Sequence, residues 1–243
     1  MNATYMRFEL LRTFRNGRFF IFSFAFPLIL FFVIAGPNKG ETDFEGTGIS
    51  APLYYMIGLA AFGAMMATIS SGARIAGERS VGWNRQLRIT PLHAGSYLGA
   101  KVLTAYVMAT LSILLMYAAG TILGVRLAAA DWLAMTGLIL VGLIPFAALG
   151  VLIGHLLTVD SIGPVMGGVA SLLALLGGTW FPVTSGFMYD LARCLPSYWL
   201  VQASHVSIGG GGWGAQGWAV IAAWSVVLSL LAARAYRRDT KRV

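Results

Sequence analysis

Six stretches of this chain are each apolar for long enough to cross a lipid bilayer: residues 19–35, 51–73, 97–124, 132–157, 161–183 and 213–233. A helix rises about 1.5 Å per residue, so the roughly 30 Å hydrocarbon layer takes about 20 residues. Within that layer backbone N–H and C=O groups find no water, and only helices and closed barrels satisfy them. Long continuous apolar runs are the helical solution. The pattern predicts an all-α polytopic membrane protein with six transmembrane helices, built as a single transmembrane domain over 1–243. Composition agrees: 58% of residues are apolar and 11% are charged, against about 25% charged in ordinary soluble domains. A soluble globular domain, a disordered chain and a fibrous protein are all excluded.

Charge then sets the orientation. With both termini cytoplasmic, the inner side holds Arg7, Arg12, Arg15, Arg18, Arg74, Arg79, Arg85, Arg88, Lys101, Arg234, Arg237, Arg238, Lys241 and Arg242, leaving only Lys39, Arg126 and Arg193 outside. This is the positive-inside bias. The net charge of +8 would suggest a nucleic-acid partner in a soluble protein. Here the basic residues flank apolar runs, so orientation explains them and no nucleic-acid partner is expected. No Asp, Glu, Lys or Arg lies deep within a run, which argues against an ion-coupled transporter and against a membrane enzyme using carboxylates. Energy for any transport has to come from another chain.

The segments between runs carry the remaining signals. Residues 1–18 form a basic amphipathic stretch, with Met6, Leu10 and Phe14 on one side and Arg7, Arg15 and Arg18 on another, Arg12 adding to the charge. It fits a helix lying in the membrane interface, or a positive flank that orients the first run. The loop 37–50, with Glu41, Asp43 and Glu45, reads as a solvated turn. Residues 77–91 are compatible with a short helix that ends at Thr90-Pro91. On a helical wheel Arg79, Trp83 and Leu87 share a face, and Arg79 lies four residues from Trp83, the spacing of a cation–π pair. Such a helix suits docking into a partner's groove; a Trp/Arg interfacial anchor is the alternative. His155 and Asp160 flank the short 158–161 connection, without a nucleophile nearby. After the fifth run, Gly177, Gly178 and Pro182 break the helix. Residues 184–208 are too short to span and read as half-helices dipping into the outer leaflet, with Trp180, Phe181 and Pro182 as an outer gate or a plain aromatic belt. The last ten residues, 234–243, form a basic cytoplasmic tail.

Several chemistries are excluded by pattern. The closest approach to a phosphate-binding P-loop, residues 95–102, has Ala100 and Val102 where the motif needs Gly and Ser/Thr, so this chain carries no Walker motif. Gly209, Gly211 and Gly214 match GxGxxG without a preceding strand. His93, His155 and His205 have no metal-ligand spacing. The lone Cys194 excludes an intrachain disulfide and a cysteine metal cluster. The flank of the first run lacks a small-residue cleavage site, so no cleavable signal peptide is expected. The pairs Gly95/Gly99, Gly120/Gly124, Gly150/Gly154 and Gly163/Gly167 have the GxxxG spacing that permits close helix packing, within the chain or between copies.

Taken in order, the amphipathic N-terminus, the six runs, the loop after the second run and the Gly-Gly-Thr-Trp-Phe-Pro segment resemble the ABC type-2 transporter permease family. Glu78, Gly82, Leu87, Thr90 and Pro91 stand where that family has its "RE-x-G-x-x-x-x-L-x-x-T-P" signature, with one departure: Arg79 follows the Glu rather than preceding it. The resemblance covers nearly the whole chain. It implies a bacterial plasma-membrane subunit of an ATP-driven exporter. Two permeases, identical or homologous, pair with a dimer of separate ATP-binding subunits that carry ATP and Mg; this chain is not itself an enzyme and holds no cofactor or metal. Residues 77–91 become the coupling helix that seats in the ATPase, with Glu78, Arg79, Gly82, Trp83, Arg85, Gln86, Leu87, Thr90 and Pro91 as its coupling residues. Runs two and five line the path between subunits.

A path lined by Met65, Met66, Thr68, Ser70 and Ser71 suits amphipathic, drug-, antibiotic- or lipid-like cargo. Polysaccharide or haem-type export is a further alternative within the transporter class. Outside it, the competing readings are a membrane-embedded enzyme or assembly factor, and a passive channel that needs no ATPase.

Overall fold

The computed structural model describes residues 3–83, 86, 94–208 and 212–241. Among the described residues all regular structure is helical. Helix α1 (Ala3–Phe14) precedes the first apolar run, which forms three consecutive pieces: α2 (Gly17–Phe20), a π-helical turn (Ile21–Ala25) and α3 (Phe26–Ala35). The cause is local. Pro27 stands in the first turn of α3 and has no N–H to offer the carbonyl four residues back, that of Ser23. That carbonyl instead accepts the Ser112 hydroxyl at 3.2 Å.

The next elements are α4 (Ala51–Ser80), α5 (Ala94–Ile122), α6 (Ala129–Gly142), α7 (Ile144–Leu156) and α8 (Val159–Leu176). Two short helices follow, α9 (Gly186–Ala192) and α10 (Pro196–Gln202), then a 3-10 segment (Ala203–Ile208) and α11 (Ala215–Lys241). Five stretches are long and apolar enough to cross a membrane: Ala51–Ser80, Gly95–Ile122, Ala129–Leu156, Val159–Leu176 and Ala215–Asp239. The third of these is broken between α6 and α7. Pro145 leaves the Val141 carbonyl without its helical donor, and the Leu143 N–H turns to Ile139 O and Leu140 O.

Helix α4 is the axis of the bundle, with its apolar stretch 94% buried. Helices α3, α5, α7 and α8 surround it. Against α7 the two backbones touch. A Cβ on Gly72 would stand 2.3 Å from the carbonyl carbon of Gly150, and one on Gly154 would stand 2.4 Å from Gly72 O. The Gly150/Gly154 pair is therefore spent on packing inside the chain. Around this seam Phe31, Met56, Ile57, Met65, Ile69, Ile113, Met116 and Phe146 close the core.

The first run lies antiparallel to α4, since Thr13 meets Arg74, Phe24 clusters with Ala67 and Phe26 stacks on Phe62. Ion pairs then bring α1, the C-terminal ends of α4, α7 and α11, and the first turns of α5 to one end of the bundle. Helix α1 and the last turns of α11 thus share that end. Some boundaries differ from the sequence reading. Helix α4 continues past residue 73 to Ser80, and α11 carries the basic residues after 233 as part of the helix. Helix α8 stops at Leu176, because Gly178 adopts φ +76° and turns the chain out of helical geometry.

Candidate functional site

The charged end of the bundle is held by a buried cluster that joins α1, α4 and α5. Lys101, about two turns into α5, is 1% exposed. Its Nζ lies 2.6 Å from Glu9 Oε1 and donates to Glu78 Oε1. Glu78 also accepts the Tyr97 hydroxyl and, at 2.6 Å, the Arg12 guanidinium. Arg74 is the cluster's third cation, 3.8 Å from Glu9, and donates to Thr13 Oγ1 at 2.7 Å and Ser71 Oγ at 3.1 Å. Removing these charges from water is costly, and only mutual pairing with saturated hydrogen bonds offsets it. Burial, with Glu9 nearby, pushes the Tyr5 phenol on α1 above its ordinary pKa. The sequence reading placed Glu78 on a docking surface and treated Lys101 as a positive flank. The structure turns both inward, and it adds Glu9, Arg74 and Tyr97, which sequence spacing does not bring together.

A second junction ties α4 to α7 and α11. The Arg79 guanidinium grips Asp239 with Nε–Oδ2 at 2.7 Å and Nη2–Oδ1 at 2.9 Å. Its Nη1 donates to Gly154 O at 3.2 Å, satisfying a carbonyl left open at the end of α7. His155 Nδ1 meets Asp239 Oδ2 at 3.0 Å, so the partner of His155 is Asp239 on α11 rather than its sequence neighbour Asp160. An acid in the last turn of a helix is disfavoured by the helix dipole; the bidentate Arg79 pairing compensates. Asp239→Asn should release this clamp at a cost of about 1 kcal/mol. The expected readout is faster proteolytic cleavage within the last turns of α11; an unchanged cleavage rate would mean that the clamp does not hold α11.

Beyond Arg79 the helix ends. Ser80 closes α4, and Gly82 at φ +70° leaves helical geometry, a backbone conformation that favours Gly. Gly77, Glu78 and Arg79 therefore belong to α4, and Arg79 faces Asp239. Val81 in the turn is 74% exposed; Trp83, helical again just after it, is 38% exposed, and Gln86 is exposed as well. Arg85, Leu87, Thr90 and Pro91 lie outside the described residues. On α1, Arg7 and Arg12, with Arg15 just after it, are exposed beside Phe8 and Leu11, an outer face that is both basic and apolar as an interfacial helix requires. The side chain of Arg18 lies outside the described residues.

At the opposite end, α10 is buried as a plug. Trp213 Nε1 donates to Trp199 O, and Trp199 Nε1 to Arg193 O at 3.0 Å. Of the expected gate, Trp180 packs half-buried on the core, Phe181 is 62% exposed, and Pro182 lines a pocket of about 250 Å³ with Tyr54, Thr184, Tyr189, Tyr198 and His205. Burial holds the His205 imidazole below its ordinary pKa and the Tyr198 phenol above its own. Tyr54 donates to Gly178 O, fixing the turn after α8 to the axial helix.

The path residues separate by face. Met65, Thr68 and Ser71 are buried inside the chain, where Thr68 bonds Ala64 O and Ser71 bonds Lys101 O. Met66 and Ser70 lie on the half-exposed stripe of α4 that continues through Arg74 and Gly77. Beside α4, α8 turns only Met166, Ala170 and Ala174 fully inward. Its other face is small and open: Cβ atoms at Gly163, Gly167 and Gly168 would meet no atom within 4 Å. Among the described residues, no group of three or more His, Cys, Asp or Glu side chains comes together as a metal site.

A helical bundle with five apolar helices of membrane-crossing length and paired charges at one end defines a polytopic membrane protein. Residues 42–234 match the family described as ABC-2 family transporter protein. A Bacillus subtilis (strain 168) relative, transport permease YvfS, is 33% identical over 196 residues, which are 78% of this chain and 78% of that protein. The chain belongs to the ABC-2 transporter family, as a permease.

Proposed function

We propose that this chain is the membrane-spanning subunit of an ATP-driven exporter. Its six apolar runs cross the plasma membrane of a bacterium with both termini in the cytoplasm, and it works in a pair of permeases coupled to separate ATP-binding subunits. The observation that carries this reading is the charged junction. Helix α1, the end of α4 and the start of α5 are locked together by Glu9, Lys101 and Glu78, and the exposed Val81 and Trp83 follow directly on the end of α4. A push there passes to α4, and α4 packs against α3, α5, α7, α8 and α10. The basic excess at this end favours the cytoplasmic side. The chain's lack of a Walker motif leaves hydrolysis to a partner.

The open Gly163/Gly167 face of α8 favours a second permease against it, because small residues let backbones approach closely in lipid. Met66 and Ser70 on the neighbouring stripe of α4 then face the path between subunits. Flexible thioether and small hydroxyl side chains suit an amphipathic, drug-, antibiotic- or lipid-like cargo. Trp180, Phe181 and Pro182 stand at its far end.

Affinity purification of the tagged chain from its host in mild detergent tests the reading. A Walker-motif ATPase should copurify at near one-to-one stoichiometry. Recovery of the chain alone, even after nucleotide addition and crosslinking, would overturn the exporter assignment in favour of a passive channel or membrane-embedded enzyme. Trp83→Ala removes an exposed ring without touching the core. It should leave expression and melting unchanged and weaken ATPase retention about tenfold or more, as truncation of a docking Trp does. Undiminished retention would place the docking surface elsewhere.

A further inference from the structure

Next to the charged end, α5, α7 and α11 leave a groove of about 570 Å³ between them. It forms because α7 and α11 meet there on small residues, Ala147, Ala148, Ala232 and Ala233. Tyr106, Ile144 and Ser229 wall its deep end, and Leu98, Tyr236 and Arg237 its mouth. All three helices belong to membrane-length apolar stretches, so the medium against this groove is hydrocarbon rather than water. From Ser229 to Arg237 the helix rises about 12 Å, close to the roughly 15 Å depth of a single leaflet's hydrocarbon.

The mouth has a definite charge. Arg237 is exposed and has no ion-pair or hydrogen-bond partner among the described residues. Arg12, Arg74, Arg79 and Lys101 at the same end are all committed to carboxylates. Tyr236 beside it supplies an amphipathic ring at the level where headgroups lie. A one-leaflet trough that ends at an uncommitted guanidinium has the shape and charge of a lipid site. We propose that this groove is a specific site for an anionic phospholipid, with one acyl chain between α5, α7 and α11 and the phosphate against Arg237. Its walls do not include α8, and the site rests on neither an ATPase partner nor a second permease.

The test is native mass spectrometry of the full-length chain. The protein is purified in detergent, delipidated, and titrated with phosphatidylglycerol or phosphatidylcholine of identical acyl chains. Phosphatidylglycerol should be retained about fivefold more strongly, the factor expected from one basic residue near an anionic lipid. Arg237→Gln should abolish that preference. Arg234→Gln, one turn away and outside the groove, should preserve it. Ala233→Trp, an exposed position on the groove wall, should lower retention of both lipids by filling the trough. Equal retention of the two lipids by the native chain would overturn the proposal. So would equal losses in Arg234→Gln and Arg237→Gln, which would mean diffuse surface charge, or undiminished retention in Ala233→Trp.

Discussion

Replacing Lys101 with Met should cost this chain about 3–5 kcal/mol, the penalty of stranding a buried charge whose partner is removed. Lys101 is 1% exposed and stands between Glu9 and Glu78, which are 4% and 1% exposed. Without it two carboxylates share a buried space with only Arg74 in reserve, because Arg12 is 56% exposed and compensates weakly through solvent. Met fills a similar length, so the loss is electrostatic rather than steric. The expected readout is a fall in melting temperature in detergent of about 10 °C. The double variant Lys101→Met with Glu78→Gln tests the cause. It leaves Glu9 opposite Arg74, one charge of each sign, and should recover most of the loss, since removing both members of a buried pair is often close to neutral. A double variant no more stable than the single one would show that the amine's packing, not its charge, holds α1 to the bundle.

This cluster marks the limit of what spacing along a chain reveals. The bilayer imposes a length on every span, so membrane class and the five long stretches are legible from apolar runs alone. The first run is legible as apolar but not as three pieces, because the Ser23 carbonyl that Pro27 frees is satisfied by Ser112 from another helix. Lys101 sits at the start of an apolar run, where a positive flank is the ordinary meaning. Its burial depends on Glu9, 92 positions away. His155 has an acid close by in sequence, Asp160, yet its partner is 84 positions off. At the candidate site, the wheel that paired Arg79 with Trp83 assumed one continuous helix across Gly82. Gly82 at φ +70° separates them, so Arg79 serves the fold and Trp83 faces outward. The second apolar run was legible as a span but not as the axial helix, which is why Met65, Thr68 and Ser71 are core residues while Met66 and Ser70 are not.

Gly72→Ala and Gly167→Ala should have opposite effects on stability, although either adds a single methyl group to a helical glycine. At Gly72 the new Cβ would stand 2.3 Å from Gly150 C and 2.4 Å from Val151 N. Both are backbone atoms that no rotamer change can move, so α4 and α7 must separate. Overpacking of this kind costs about 1–3 kcal/mol or more, beyond the roughly 1 kcal/mol that Ala contributes over Gly in a helix. Separation would also strain the Arg79 contact to Gly154 O and loosen the junction that relates α4, α7 and α11. At Gly167 a Cβ meets nothing within 4 Å, so only the favourable helix propensity remains and the isolated chain should melt no lower than the native one. Both glycines are helical; the helix on the other side decides the sign. Melting of both variants at protein concentrations low enough to keep the chain monomeric separates the effects. A Gly72→Ala protein that melts with the native chain would mean that α4 and α7 do not meet backbone to backbone. A lower melting temperature for monomeric Gly167→Ala would mean that the open face of α8 is occupied within the chain itself, which would remove the support for a second permease there.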